Sequence, residues 1–412
     1  MKLLIQTARI ITGLLFAFSG FVKGIDPMGT AFKLGDYFSA FKIGFLDDLA
    51  LPLSLLLCLV EFTTGMMLLS GALVKPASWM AALFMAIFTP LTLILAIWNP
   101  VSDCGCFGDA IVLTNWQTFI KNVIIIIPVV FVFITRNDET GVMPLKAGLN
   151  FTVAYIFLFL LFMRMNLAWL PVIDFRPYSI GTNIAEGMTV PQDAEPDKYD
   201  IRFIYEKDGK QQEFTLENYP ADDTMWKFID QKSVLISKGY EPPIHGFSLM
   251  TEEGTDMTEQ VTRKNGDVVL MVARRLDESD RDGLMKGYSL GIELQKRGTD
   301  FHIVTATSPA GAGPLVTGFS TLYADETTLK TVIRSDPGFV FLHNGTVAAK
   351  WSYHNLPAPG KFSNGDLNAL ALRSRVTAEN RLIAICVVMS ILVAMALALP
   401  FRMKKTQEIN NL

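Results

Sequence analysis

The chain has 412 residues, of which 50% are hydrophobic and only 18% are charged, and its net charge is -4. This composition argues against a nucleic-acid-binding protein, which concentrates Lys and Arg, and favours membrane segments joined to soluble ones. The four cysteines are too few for a fold held together by disulfides.

Six apolar runs are long enough to cross the hydrocarbon core of a bilayer, which is roughly 30 Å thick and takes about 20 helical residues. The predicted spans cover residues 3–22, 49–74, 77–98, 116–135, 149–170 and 382–401. The first span is the least apolar because it contains Arg9. An even number of spans places both termini on the same side of the membrane.

Lys and Arg in the short loops indicate the orientation, because cytoplasmic loops carry the excess of positive charge. The pattern Arg402-Met-Lys-Lys405 after the last span favours a cytoplasmic C-terminus, and with it a cytoplasmic N-terminus. Residues 171 to about 380 then lie outside, together with the loop between the third and fourth spans. In a bacterium we expect the inner membrane, with the large domain in the periplasm, where disulfides persist.

Two of the four cysteines lie one residue apart in that outer loop, within Asp103-Cys-Gly-Cys-Phe-Gly-Asp109. The thiolate is the reactive form of cysteine, so a reactive pair needs positive charge nearby. Lys23 and Lys121 lie at the outer ends of their spans, and we expect them to lower a thiol pKa. The sequence favours redox exchange by Cys104 and Cys106; a static disulfide or two unreactive thiols are the alternatives.

Glu61 falls near the middle of the second span, where a lone carboxylate is costly and usually has a partner. Arg9 is the expected partner, so a structural ion pair is favoured over a proton relay or a contact with a quinone. Cys58 and Cys386 lie inside spans and are interpreted as packing residues. Two cysteines without a nearby histidine do not complete a zinc site, so no metal is predicted. No cofactor is evident, and a quinone stays an open option.

Residues 175–377 differ from the spans in their sequence pattern, and they are predicted to form an extracytoplasmic α/β domain. Asp208-Gly209 and Asn344-Gly345 are each typical of a tight hairpin between two strands. Alternating or continuous apolar patterns predict strands over residues 199–205, 212–216, 233–237, 246–250, 267–273, 301–305, 338–342 and 346–351. Helical spacing predicts helices over residues 279–297 and 327–334.

That order of elements resembles a thioredoxin-like domain over residues 244–356. Asp336-Pro337 precedes the last hairpin, where such domains carry a cis-proline, so the resemblance implies that Pro337 is cis. Active members of that family carry Cys-x-x-Cys after the strand that ends here at Ala273. This chain has Arg275-Leu-Asp-Glu-Ser-Asp280 instead. The domain is therefore expected to bind or position a partner rather than to exchange disulfides.

A second set of residues lies in the first four spans and their loops: Arg9, Gly13, Phe16, Gly20, Lys23, Pro27, Glu61 and the Cys-Gly-Cys-Phe-Gly-Asp run. Through these residues, the region 1–136 resembles the DoxX/MauE group of small membrane proteins. The resemblance implies a four-helix bundle associated with redox or disulfide maturation in the cell envelope. The fifth span (148–170), the outer domain and the C-terminal span (382–401) lie beyond it.

The sequence therefore predicts an α-helical membrane bundle with an extracytoplasmic thioredoxin-like domain. Its predicted function is a thiol–disulfide relay or maturation factor, in which Cys104 and Cys106 exchange with cysteines of an envelope protein. Two alternatives stay open: a non-enzymatic assembly scaffold, and a small-solute transporter in which Glu61 matters most. The expected partners are the lipid bilayer and that envelope protein, and not nucleic acid.

Overall fold

The computed structural model describes residues 2–137, 143–220, 223, 225–237, 239–313, 316–363 and 366–410. The chain forms two compact units, Met1–Thr182 with Ser248–Leu412, and Asn183–Phe247. Among the described residues of the larger unit, five helices are long and apolar enough to cross a membrane. This finding confirms a multi-pass membrane protein and five of the six predicted spans.

The membrane part contains six helices. They are α1 (Lys2–Ile25), α2 (Pro27–Ala40), α3 (Ala50–Ser70), α4 (Val74–Trp98), α5 (Asn115–Thr135) and α6 (Leu145–Trp169). A 3₁₀ turn, Gly44–Leu49, leads into α3. The short helix α2 was not predicted, although its N-terminal signals are present. The Asp26 carboxylate accepts a hydrogen bond from the Gly29 N–H at 2.9 Å, and Pro27 occupies the first turn.

Helices α1 and α3 pack closely because glycines lie where their backbones meet. A Cβ atom added to Gly20 would lie 2.4 Å from the backbone nitrogen of Phe62. One added to Gly65 would lie 2.1 Å from the backbone nitrogen of Ala17. Small residues allow such close approach between helices in a membrane. The contact brings the polar residues of α1 against Glu61 of α3.

The smaller unit, residues 183–247, is built on a three-stranded antiparallel sheet in the order β2-β1-β3. Its elements are α7 (Ile184–Gly187), β1 (Lys198–Lys207), β2 (Lys210–Thr215) and β3 (Lys227–Ser237). Asp208 and Gly209 join β1 to β2 with positive φ angles of 52° and 73°. These angles fit the tight hairpin that the sequence predicts.

The α/β domain is the part of the larger unit that runs from Ser248 to the last helix, which begins at Leu367. Its elements are α8 (Thr258–Thr262), β4 (Asp267–Val272), α9 (Arg281–Arg297), β5 (Asp300–Thr305), α10 (Pro309–Ala312), β6 (Ser320–Tyr323), α11 (Glu326–Val332), β7 (Gly338–His343), β8 (Thr346–Ser352) and α12 (Gly360–Ser363). The sheet order is β6-β5-β4-β7-β8. Strands β6, β5 and β4 run parallel, while β7 and β8 form an antiparallel hairpin.

Two features of this domain differ from the sequence prediction. Residues 246–250 form no strand, because Gly246 has a positive φ of 67° that breaks the extended chain, and only Met250 forms isolated bridges. The short edge strand β6 was not predicted.

The Asp336–Pro337 peptide bond is cis, as the sequence predicts.

Helix α13 (Leu367–Asn410) contains the predicted sixth span. One face, formed by Ile385, Met389 and Leu392, packs against the buried cluster that includes Phe62 and Tyr155. The side chains from residue 396 onward lie outside the described residues, so a membrane span over 382–401 stays a prediction.

The close contact of α1 with α3 yields a test. We expect Gly65→Val to destabilise the purified protein by about 1–3 kcal/mol, because overpacking forces the two backbones apart. Thermal unfolding in detergent measures the change. Gly35→Ala is the matched control, because a Cβ atom there meets no heavy atom within 4 Å. Equal stability of the two variants would contradict this account of the packing.

Candidate functional site

The loop between α4 and α5, residues 99–114, carries Cys104 and Cys106 and is called the thiol loop below. Its two ends are tied together by Asn115, whose side-chain amide donates to the Asn99 side chain and to the Val101 carbonyl, each at 2.8 Å. Thr114 and Gln117 then form a reciprocal capping box that begins α5. The loop is therefore closed at its base.

Within this loop the Cys104 and Cys106 sulfur atoms lie 2.9 Å apart, in hydrogen-bond contact, and both thiols are free. Gly105 makes this approach possible, because its φ of 66° lies in the left-handed region that glycine adopts readily. A Cβ atom on Gly105 would also lie 2.9 Å from Cγ of Lys33. Only glycine therefore fits between the two cysteines without strain.

Helix α2 holds the thiol loop from one side. The Lys33 ammonium pairs with the Asp103 carboxylate at 2.9 Å, and the same carboxylate accepts the Gly105 N–H at 3.0 Å. Tyr37 donates its hydroxyl hydrogen to the Cys104 carbonyl at 2.7 Å. Sequence reasoning missed both Lys33 and Tyr37, because it assigned no element to this stretch.

The two thiols differ in their electrostatic surroundings. The Cys104 thiol donates a hydrogen bond to the Cys106 sulfur. This hydrogen bond and the positive charges of Lys121 and Lys23 outweigh the effect of burial and lower the pKa of Cys106 to about 6. The same hydrogen bond and burial raise the pKa of Cys104. Cys106 is thus the thiolate of the pair at neutral pH, and Cys104 keeps its proton.

The structure places Glu61 against Lys23 and not against Arg9, which corrects the predicted ion pair. The Lys23 ammonium lies 2.6 Å from a Glu61 carboxylate oxygen, and both side chains are over 90% buried. Arg9 donates instead to the backbone carbonyls of Leu68 and Leu69 at the end of α3. Arg9 therefore binds the C-terminal end of α3, and Lys23 binds a residue near its middle.

A hydrogen bond connects the ion pair to the thiol loop. The Ser19 hydroxyl donates to the Cys106 carbonyl at 2.9 Å and lies 3.3 Å from the Glu61 carboxylate. Lys121 lies on the other side of the loop, with its ammonium 4.4 Å from the centre of the Phe107 ring. Five of the predicted site residues line one cavity: Cys104, Cys106, Lys23, Lys121 and Glu61.

That cavity is largely apolar. Its walls come from α1, α2, α3, α4 and α5, and they include Phe16, Leu57, Phe84, Phe88 and Ile125. The polar groups among its lining residues belong to the thiol loop and to a few side chains of the helices: Ser19, Lys23, Thr30, Lys33, Tyr37, Glu61, Lys121 and Asn122. Apolar walls with a few convergent polar groups are the usual composition of a small-molecule site, although the volume of this cavity, about 90 Å³, is below the range of roughly 300–1,000 Å³ that is typical of such sites.

The α/β domain contacts the membrane part beside the thiol loop through Arg334. The Arg334 guanidinium pairs with Asp26 at 2.7 Å and with Asp109 of the loop at 3.0 Å. It also lies 5.3 Å from the Phe32 ring of α2, which Arg274 approaches as well, at 5.2 Å. Arg274 in turn pairs with Asp336, the residue before the cis-proline Pro337. The edge of the domain that carries Pro337 therefore lies against α2.

The acidic residues of the loop are both engaged in ion pairs, Asp103 with Lys33 and Asp109 with Arg334. Among the residues that the structure describes, no group of three or more His, Cys, Asp or Glu side chains is arranged to hold a metal ion. The chemistry available at the site is therefore that of the two thiols and the charges around them.

These features define a multi-pass helical membrane protein with a dithiol at one end of its bundle. Residues 1–135 match the family model described as methylamine utilisation protein MauE, so this third of the chain is MauE-like. Residues 199–238 match a domain of unknown function, DUF8463. No curated protein and no solved structure matches the chain.

The lowered pKa of Cys106 predicts the pH dependence of its alkylation. Because the folded-state pKa lies below the ordinary thiol value, the thiolate persists down to about pH 6 and is lost below it. In a Cys58→Ala/Cys386→Ala background, we expect the iodoacetamide rate to fall about tenfold per pH unit below that midpoint.

The Cys104→Ala variant serves as the comparison, because it removes the hydrogen bond that stabilises the thiolate. We expect its midpoint to move upward towards the ordinary value. Identical profiles for the two proteins, or a midpoint above pH 8 in the parent, would contradict the assigned roles of the two thiols.

Proposed function

We propose that this protein is a thiol–disulfide oxidoreductase of the cell envelope that oxidises a partner protein through Cys104 and Cys106. The observation that carries the proposal is the free, 2.9 Å thiol pair, in which one sulfur is a stabilised thiolate. An S–S bond is about 2.05 Å long, so the pair closes with less than about 1 Å of movement. The MauE-like character of residues 1–135 is consistent with a role in the maturation of other proteins.

The exchange begins from the Cys104–Cys106 disulfide. A thiolate of the partner attacks the Cys106 sulfur, and the Cys104 sulfur leaves and takes up a proton. The partner's second thiolate then attacks its own cysteine in the mixed disulfide and expels Cys106. A thiol of low pKa leaves faster, so Cys106 suits this second step. The partner loses two electrons and gains a disulfide, and the Cys104–Cys106 pair gains the two electrons.

A quinone is the proposed acceptor that returns the pair to the disulfide. It would take two electrons from the pair, one proton from the Cys104 thiol and a second proton from water, and become the hydroquinone. The support is the apolar cavity that Cys106 lines. Four of the helices that form its walls, α1, α3, α4 and α5, are long and apolar enough to cross the membrane, in which a quinone dissolves. Lys23, Glu61 and Asn122 would supply the polar contacts for the ring oxygens.

The α/β domain is proposed to be thioredoxin-like without a dithiol of its own. The support is its strand order, with parallel β6, β5 and β4 beside a β7–β8 hairpin, and the cis-proline before that hairpin. The position of the family's Cys-x-x-Cys is taken by Arg274 to Asp280, and Arg274 and Ser279 both bind Asp336. Through Arg334 the domain would hold the thiol loop in position for the partner.

Trapping tests the exchange. We expect Cys104→Ser to form a mixed disulfide by the reverse of the second step, in which the Cys106 thiolate attacks the disulfide of the oxidised partner. Without Cys104 the variant cannot carry that adduct on to a disulfide of its own. Cells are acid-quenched, and the adduct is identified by non-reducing electrophoresis and mass spectrometry. Arg334→Gln in the same background is expected to lower the yield, with the exposed Arg263→Gln as its control.

Two results would count against the relay. One is that no adduct forms on Cys106 and that the Cys104→Ser/Cys106→Ser protein keeps the full function of the wild type. This pair of results would favour the scaffold interpretation. The other is loss of function in Glu61→Gln with unchanged cysteine chemistry, which would favour solute transport.

The quinone is tested with the purified, reduced protein and a short-chain quinone. We expect the wild-type dithiol to be oxidised, and Ile125→Trp, which fills the cavity, to slow this at least about tenfold, or ~1.4 kcal/mol of barrier. Ile124→Trp is the control, because Ile124 is 61% exposed and does not line the cavity. No oxidation of the wild type, or equal rates for both variants, would exclude a quinone at this cavity.

A further inference from the structure

A second cavity lies between the end of α6, strand β8 and the first turns of α13, away from the thiol loop. It has a volume of about 420 Å³. We call it the interface cavity. Its charged lining residues are Asp174, Arg176, Lys350, Lys361, Arg373 and Arg381.

Positive charge is in clear excess in the interface cavity. Five basic side chains line it against a single carboxylate, Asp174, which is shared by Arg176 and Lys350 at 2.7 Å each. Burial and the neighbouring Arg176 lower the pKa of Lys350 to about 8, although Asp174 opposes the shift. In the described part of the chain, Lys361, Arg373 and Arg381 form no ion pair. The positive charge of the cavity is therefore not neutralised by its own side chains, and this excess of positive charge favours the binding of an anion.

The cavity lies at the end of the membrane helices. Helix α6 ends at Trp169, and the Arg381 guanidinium lies 5.7 Å from the centre of the Trp169 ring. Arg381 also donates to the Leu170 carbonyl at 3.4 Å. Beyond Arg381 the sequence of α13 becomes apolar. Trp and Arg in such positions mark the level of the lipid headgroups.

An apolar groove of about 280 Å³ lies between α6 and α13, next to this cavity. Arg381 is the residue that lines both spaces. Below it the walls are Leu158, Phe162, Ile385 and Val388, with almost no polar surface. A cationic chamber joined to an apolar groove at one arginine has the polarity pattern of a phospholipid.

We propose that the interface cavity and the groove form a binding site for one anionic phospholipid, with its phosphate headgroup among the basic side chains and an acyl chain in the groove. A free phosphate ester would satisfy the charge of the cavity but would leave the groove empty. Basic pockets beside membrane helices are suited to anionic headgroups. The site is independent of the thiol chemistry.

Lipid retention by the purified full-length protein tests the site, with native mass spectrometry as the readout. Phosphatidylglycerol, phosphatidylcholine and soluble glycerol 3-phosphate are the three ligands. We expect phosphatidylglycerol to be retained in preference to phosphatidylcholine. Arg373→Gln or Arg381→Gln should weaken that retention about fivefold each. Arg373 is exposed, so its replacement keeps the test valid if Arg381→Gln disturbs folding.

Matched controls lie on the same helix. Arg375 pairs with Glu379 and does not line the cavity, so Arg375→Gln should retain the lipid as the wild type does. Val388→Trp should block the groove, whereas Val387→Trp should not, because Val387 does not line it.

Equal retention of phosphatidylglycerol and phosphatidylcholine, unaffected by the arginine variants, would overturn the site. Glycerol 3-phosphate that competes as well as the lipid, with no effect of Val388→Trp, would overturn the assignment to a lipid and leave a soluble phosphate ester as the ligand.

Discussion

The buried ion pair between Lys23 and Glu61 is the constraint on which the rest of the site depends. Neither charge is tolerated alone inside a membrane helix, so each requires the other, and their 2.6 Å contact requires α1 and α3 to touch. The glycines of these two helices permit that contact. Removing one partner of such a buried pair typically costs about 3–5 kcal/mol, because the other charge is left unpaired.

The same ion pair contributes to the chemistry of the thiol loop. Lys23 adds to the positive potential at Cys106, while Ser19 connects the Glu61 carboxylate to the Cys106 carbonyl. On the opposite side, Lys33 and Tyr37 of α2 fix the backbone around Cys104. The asymmetry between the two thiols thus combines the hydrogen bond within the pair with the charges that α1 and α5 place near Cys106.

Local chemistry explains what the sequence predicted well. Five spans were found because about 20 apolar residues in a row satisfy a bilayer, and the hairpins because Asp-Gly and Asn-Gly favour positive φ. The cysteine pair was found by its spacing. Helix α2 was missed although Asp26-Pro27 is a helix-start signal, since a 14-residue helix between two spans is easily taken for a loop.

Contacts between distant parts of the chain explain what the sequence did not reveal. Arg9 and Lys23 are both basic residues of α1, and nothing in their spacing says which of them reaches the depth of Glu61. The pairing of Arg334 with Asp109 joins residues 225 positions apart and depends on how the α/β domain lies on α2. The shared role of Arg381 in cavity and groove likewise appears only when α6 and α13 are side by side.

The redox potential of the Cys104–Cys106 pair tests the central claim most directly. The purified protein is equilibrated in thiol–disulfide buffers, the thiols are alkylated, and the reduced fraction is measured by mass. An exchanging pair should titrate as a two-electron couple between about -270 and -120 mV, the range of known oxidoreductases. A pair that stays oxidised below about -300 mV, as structural disulfides do, or one that forms no disulfide at all, would contradict the account.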